Sequence, residues 1–284
     1  MRRVTLAASL FALLAVGCTT PPVVPGEGLR TADFGLRKRL YPTYTADPRR
    51  AVFGLEGTTV LQDNIQGVSD GRTNVRLGGR VGLFRHGRPD SDRDAIQVEL
   101  ELAYIGGFDG SENFGWDEFY GLFVVWHALP EFIGQVGIRR DSGKLSDSYA
   151  DDNLRADLDY VRDELVFAGT VELDPRLRVY GEYAYGFQLE NERVMEEGRI
   201  QGGAEFEGRP ALFHGRWSPY AALDLSAWQE DDWDPNFALQ AGLVTRPGSL
   251  TLRVGLEFVD GRPALGEFFR EDEQWVSAGV WVEL

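Results

Sequence analysis

The sequence predicts an all-β protein, a closed antiparallel up-and-down β-barrel of about twelve strands of the outer-membrane type. Three observations lead there. Beyond residue 50 the apolar residues recur with period two over segments of about ten residues, long enough to cross a bilayer core when tilted. The connections alternate between tight turns and long polar stretches, as in barrels with short inner turns and long outer loops. The chain also ends inside a strand pattern, with Val276, Ala278, Val280, Val282 and Leu284 on one face. That ending is similar to the terminal signal read by the outer-membrane insertion machinery, an expected partner, although a Phe usually stands where Leu284 does.

The chain opens with "MRRVTLAASLFALLAVGC", in which Arg2 and Arg3 precede an apolar run from Val4 to Val16 and small Gly17 precedes Cys18. The run is too short for a permanent bilayer helix, so residues 1–17 are expected to be a signal peptide. Its form resembles a bacterial lipoprotein signal, which implies lipidation of Cys18 and a lipid-anchored place at the cell outer membrane. Cys18 is the only cysteine, so no disulfide can form within the chain. Residues 18–50 are Pro/Gly-punctuated without a sustained period and are expected to form a lipid-anchored periplasmic tether, extended at "TTPPVVP" and docked near "LYPTYTADPRR". The barrel domain is then 51–284.

Composition excludes several partners. The formal charge of -16 argues against nucleic acid, and 43% hydrophobic residues exclude disorder on grounds of charge alone. No segment after the signal has the roughly 20 consecutive apolar residues of a membrane helix.

Strands are expected to begin near Val52, Thr73, Ala95, Asp117, Phe132, Val161, Arg176, Arg199, Ser218, Phe237, Leu250 and Glu273. In "IQVELELAY", Ile96, Val98, Leu100 and Leu102 oppose Gln97, Glu99 and Glu101; in "LTLRVGLEF", Leu252, Val254 and Leu256 oppose Arg253 and Glu257. Two architectures accept this alternation. A soluble barrel hides the apolar face and could bind an apolar ligand there, whereas a membrane barrel turns that face to outer-membrane lipid and keeps charge in the lumen. The mixed charges of the polar face and the turn pattern favour the membrane. With both termini periplasmic, the tight turns "WHALPEF", "LDPRL" and "TRPGSL" fall after even-numbered strands, and the lumen is narrow and crossed by Arg–Glu pairs. Trp217, Trp228, Trp233 and Trp275 near strand ends would suit an interfacial girdle.

The stretch "RRDSGKLSDSY", with "RDELVFAGTVELDPRLRVYGEYAYGF", "WSPYAALDLSAWQEDDWDPNFALQAGL" and "LRVGLEFVDGRPALGEFF", resembles the bacterial domain-of-unknown-function family 1207 over most of residues 40–284. The resemblance implies an exported β-barrel with no established activity. In the family motif, His-x-Ser-Ser-His-x-Gly-Asp-Glu-Tyr, Ser142, Asp147 and Tyr149 match. Arg140 and Lys144 stand where the two histidines would be, Gly143 where the second serine would be, Ser146 where the glycine would be, and Ser148 where the glutamate would be.

This substitution decides the chemistry expected. A serine hydroxyl needs a neighbouring base, and Arg140 stays protonated while Lys144 would have to be strongly desolvated to serve. His86, His127 and His214 fall at the opposite strand ends. No catalytic residue is therefore assigned. The alternative is a lipid acyl hydrolase using Ser142 with Asp147 as base. "PDSDRD" and "EDDWDPN" lack the glycine and distal glutamate of a calcium loop, so no metal or other cofactor is assigned. Divalent cations bridging these acidic loops to anionic surface glycolipid are a candidate partner. The functional expectation is a structural barrel or a narrow passive pore.

Overall fold

The computed structural model describes residues 31–284 apart from 89–91, 93, 157–159 and 191–194. Cys18 and the signal segment lie outside the described residues. The strands are β1 (Thr31–Lys38), β2 (Phe53–Gln62), β3 (Gly71–Gly87), β4 (Ile96–Asp109), β5 (Glu112–Leu129), β6 (Phe132–Leu145), β7 (Val161–Asp174), β8 (Leu177–Leu189), β9 (Gly198–Glu207), β10 (Ser218–Trp228), β11 (Pro235–Thr245), β12 (Thr251–Gly261) and β13 (Glu273–Glu283). One helix, α1 (Asp147–Asp152), follows β6. From β2 onward each strand pairs antiparallel with the next, and β13 returns to β2, which closes a barrel and removes the free edges. The expected count of twelve holds for this closed wall; β1 is additional.

Alternation places charge inside and hydrocarbon outside. Glu56, Arg76, Glu99, Glu164, Gln240 and Glu257 are buried, whereas Leu55, Leu77, Leu102, Phe167, Leu239 and Leu256 are exposed on the opposite face. This inverts a soluble barrel, so an interior built for an apolar ligand is not what the alternation forms.

β1 lies on β3 below the point where β2 leaves it: Gly54 to Thr59 pair with Arg76 to Gly71, and Thr31 to Lys38 pair with Gly87 to Val81. Phe34 and Leu36 on β1 are exposed, and Phe34 packs on Phe84 at 4.7 Å, so β1 extends the apolar outer wall. Residues 31–50, assigned to a tether from sequence, thus belong to the barrel domain. The segment 39–52 turns from the wall into the lumen, where Leu40, Tyr41, Tyr44 and Ala46 are buried.

Two further expectations are corrected. The short turns do not all fall on one side. β4 and β5 are joined by Gly110 and Ser111, with Gly110 at φ +60°, so β5 begins at Glu112 rather than near Asp117. The connection 208–217, on the side of the other short turns, is long. Nor is the tryptophan girdle complete. Trp275 is 1% exposed and faces the lumen beneath Arg72, and Trp228 lies under Arg262 at 4.4 Å, because a guanidinium over the indole satisfies both in a partly dry interior. Trp233 remains 41% exposed, as a girdle residue would.

Candidate functional site

The lumen is crossed by the chain itself. Starting at β4, the Leu40 and Tyr41 amides donate to Glu99. Arg178 of β8 donates to the Thr43 carbonyl at 2.8 Å, and the Tyr44 hydroxyl donates to Glu182 at 3.1 Å while its ring stacks on Tyr180 at 3.9 Å. Thr45 donates to Glu205 of β9 through its amide at 2.7 Å and its hydroxyl at 2.9 Å. Arg49 then bridges Asp117 at 2.8 Å and Asp141 at 2.5 Å, and Arg50 faces Glu257 of β12 at 3.6 Å. Burial opposes the charge of Arg49, but Asp141 and Asp117 outweigh it and hold its pKa above the ordinary arginine value. Arg50 is the reverse: burial, then the neighbouring Arg76, lower its pKa. These contacts reach walls on several sides of the barrel, so the segment divides the lumen.

On the side of α1, the wall closes into an ionic lattice. Glu164 accepts from Arg162 at 2.6 Å, Arg139 at 3.0 Å and Arg199 at 3.1 Å, and Arg199 also donates to Glu182 at 2.5 Å. Glu164 and Glu182 are nearly fully buried, so these bonds act in a low dielectric where an unpaired charge is costly. A cavity of about 50 Å³ remains between this lattice and the lumen segment, lined in part by Asp47, Arg49, Asp141 and Asp224. It has room for a few waters and no more. At the opposite mouth, beside the β5–β6 and β7–β8 turns, a vestibule of about 680 Å³ opens beneath the segment.

The family-motif residues lie elsewhere, on and beside the outer face of the wall. Arg140, Ser142 and Lys144 alternate on the outward side of β6, across from Tyr120, Glu118 and Trp116 of β5. Arg140 pairs at 3.1 Å with Asp163 of β7. Asp147 begins α1, exposed, with Ser146 capping the helix by accepting from the Tyr149 amide at 3.2 Å. Tyr149 is buried against Phe114 and Phe268 and donates to the Gln66 carbonyl at 2.6 Å, which docks the loop onto the barrel. The structure does not join Ser142 to Asp147: among the described residues no hydrogen bond connects them. The carboxylate opposite Ser142 is that of Glu118, which already accepts from the Tyr120 hydroxyl at 3.1 Å. His86 and His127 lie at the far ends of β3 and β5, and His214 lies in the 208–217 connection.

In the acidic loop 229–234, Glu230 and Asp231 both pair with Arg262, and among the described residues no group of three or more metal-ligating side chains forms. What the sequence did not show is that the docked stretch lies inside the lumen. Its signal was present in adjacent Arg49 and Arg50 and in Tyr41 and Tyr44, side chains that a solvated tether has no need to carry together.

Comparison with solved structures places this architecture. The outer membrane phospholipase A of Escherichia coli shares 12% identity, with 87% of this chain and 94% of that one covered at a TM-score of 0.55. The calcium-bound dimer of the Salmonella typhi enzyme gives 11% identity, 86% and 94% coverage and the same TM-score. At such identity the likeness shows the fold alone, that of an outer-membrane barrel. Among curated proteins none matches the sequence. The family model described as "Protein of unknown function (DUF1207)" matches residues 32–282, from the wall strand β1 through the lumen segment to the last strand, and the chain belongs to that family.

Proposed function

We propose that this protein is an outer-membrane lipoprotein with a structural barrel, held shut at rest by its own segment 39–52. The carrying observation is the run of bonds from that segment to Glu99, Glu182, Glu205, Asp117 and Asp141, which ties the chain to five strands across the path a passive pore would use. Lipid at Cys18, which labelled palmitate would report, would hold the chain to the membrane from which β1 rises. Outer-membrane lipid and the insertion machinery remain its proposed partners, the latter through the apolar face of β13.

Conductance in planar bilayers tests the closed state. The full chain is expected to show no steady current. The double variant Thr45→Ala/Arg49→Gln removes hydrogen bonds to charged groups, each contributing about 1.5–3 kcal/mol, and should show stepwise openings. Steady current through the unaltered protein would sink the reading.

The hydrolase reading draws on one observation, that Ser142 sits on the outward face of a phospholipase-like barrel. It lacks a base: Arg140 is engaged by Asp163 and Asp147 is not bonded to the serine. Purified protein is therefore expected to release no fatty acid from phospholipid, with or without calcium. Turnover that disappears in Ser142→Ala would reverse this, and Glu118 would then displace Asp147 as the first base to test.

A further inference from the structure

The vestibule on the short-turn side is opposite in charge to the chain as a whole. The chain carries a formal charge of -16. Yet this cavity of about 680 Å³ is lined by eight Lys and Arg side chains against six Asp and Glu, a local excess of two positive charges. Its volume falls in the range of roughly 300–1,000 Å³ usual for small-ligand pockets. The lumen segment lines it from Arg39 to Thr43 and at Thr45, so a ligand entering from the mouth meets the segment.

Three arginines form the deep part of the lining. Arg39 and Arg253 both pair with Glu283, so two cations share one side-chain carboxylate, and Arg39 also donates to the Leu284 main-chain oxygen at 3.3 Å. Arg178 uses one terminal nitrogen for Glu205 and the Thr43 carbonyl, while its other terminal nitrogen, Nη1, is buried without a hydrogen-bond partner. These side chains are only 11–14% exposed. Cations surrounded by low-dielectric walls focus the field into the cavity, and guanidinium forks match the geometry of carboxylate and phosphate oxygens.

From this geometry we infer that the vestibule is a binding site for a small multivalent oxyanion bearing carboxylate or phosphate groups, held by Arg39, Arg178 and Arg253. The anion offsets the charge left by the shared Glu283 and supplies an acceptor for Arg178 Nη1. The site requires only the vestibule and stands whether or not the barrel conducts.

Calorimetric titration of the full chain, refolded in uncharged detergent at low salt, tests this with citrate and pyrophosphate as separate probes and sucrose as the neutral control. At least one anion should bind saturably, more weakly as salt is raised, and sucrose should not bind. Which anion binds decides between carboxylate and phosphate. Arg253→Gln should weaken the binding about tenfold, the scale of one charged hydrogen bond. Glu283→Gln should tighten it by removing the competing carboxylate, and Arg270→Gln at the opposite end of the barrel should leave it unchanged. Heat-modifiable migration checks that each variant is folded. Should Arg253→Gln not fold, the opposite sign expected of Glu283→Gln still decides. Absence of binding by both anions, equal affinity in folded Arg253→Gln, or weaker affinity in folded Glu283→Gln would overturn the assignment.

Discussion

Replacing Glu164 by Gln is expected to cost the barrel about 3–5 kcal/mol, the scale for removing one partner of a buried ion cluster. Gln keeps the shape of the side chain but not its charge. Arg139 and Arg199 would then share Glu182, and Arg162 would keep Glu230 at 3.6 Å. Three buried guanidiniums cannot regain water where their side chains are only 1–22% exposed. Urea unfolding of the refolded protein in lipid vesicles measures the change. A loss below about 1 kcal/mol would mean that the lattice is well hydrated and behaves as surface pairs do.

The second large effect is expected on the outer face and depends on depth. Leu256 lies at the middle of β12 and is 60% exposed, whereas Leu252 lies one residue from the strand's start. An arginine facing lipid costs about 2–4 kcal/mol at the bilayer midplane and about 0–1 near an interface. Leu256→Arg should therefore reduce stability strongly in vesicles and Leu252→Arg little. Arg253→Leu faces the lumen and leaves Glu283 its bond to Arg39, so its cost should fall between them. The same unfolding assay checks the order. Equal tolerance at Leu256 and Leu252 would show that this face does not meet lipid.

Both results would probe features legible before folding, charge in the lumen and an apolar outer face. Strand positions were legible because a period of two is local: each of Ile96 to Leu102 and Leu252 to Glu257 declares its face from its immediate neighbours. The motif positions were legible too, with Arg140 and Lys144 where the resemblance implies histidines. The partner of Arg140 was not, since Asp163 reaches it only through the pairing of β6 with β7.

What the sequence by itself determined is therefore the wall: an all-β chain, twelve strands, the outward apolar face, and charge turned inward. What only the tertiary structure decided is that the segment 39–52 enters the lumen and is held there. The segment 39–52 has no period to read, and its partners lie far along the chain, with Leu40 bonded to Glu99 across 59 residues, Tyr44 to Glu182 across 138 and Thr45 to Glu205 across 160. Such bonds need the closed wall that the pairing of β13 with β2 completes around a charged interior. There, a backbone amide or guanidinium gains more from a wall carboxylate than a tether gains from water.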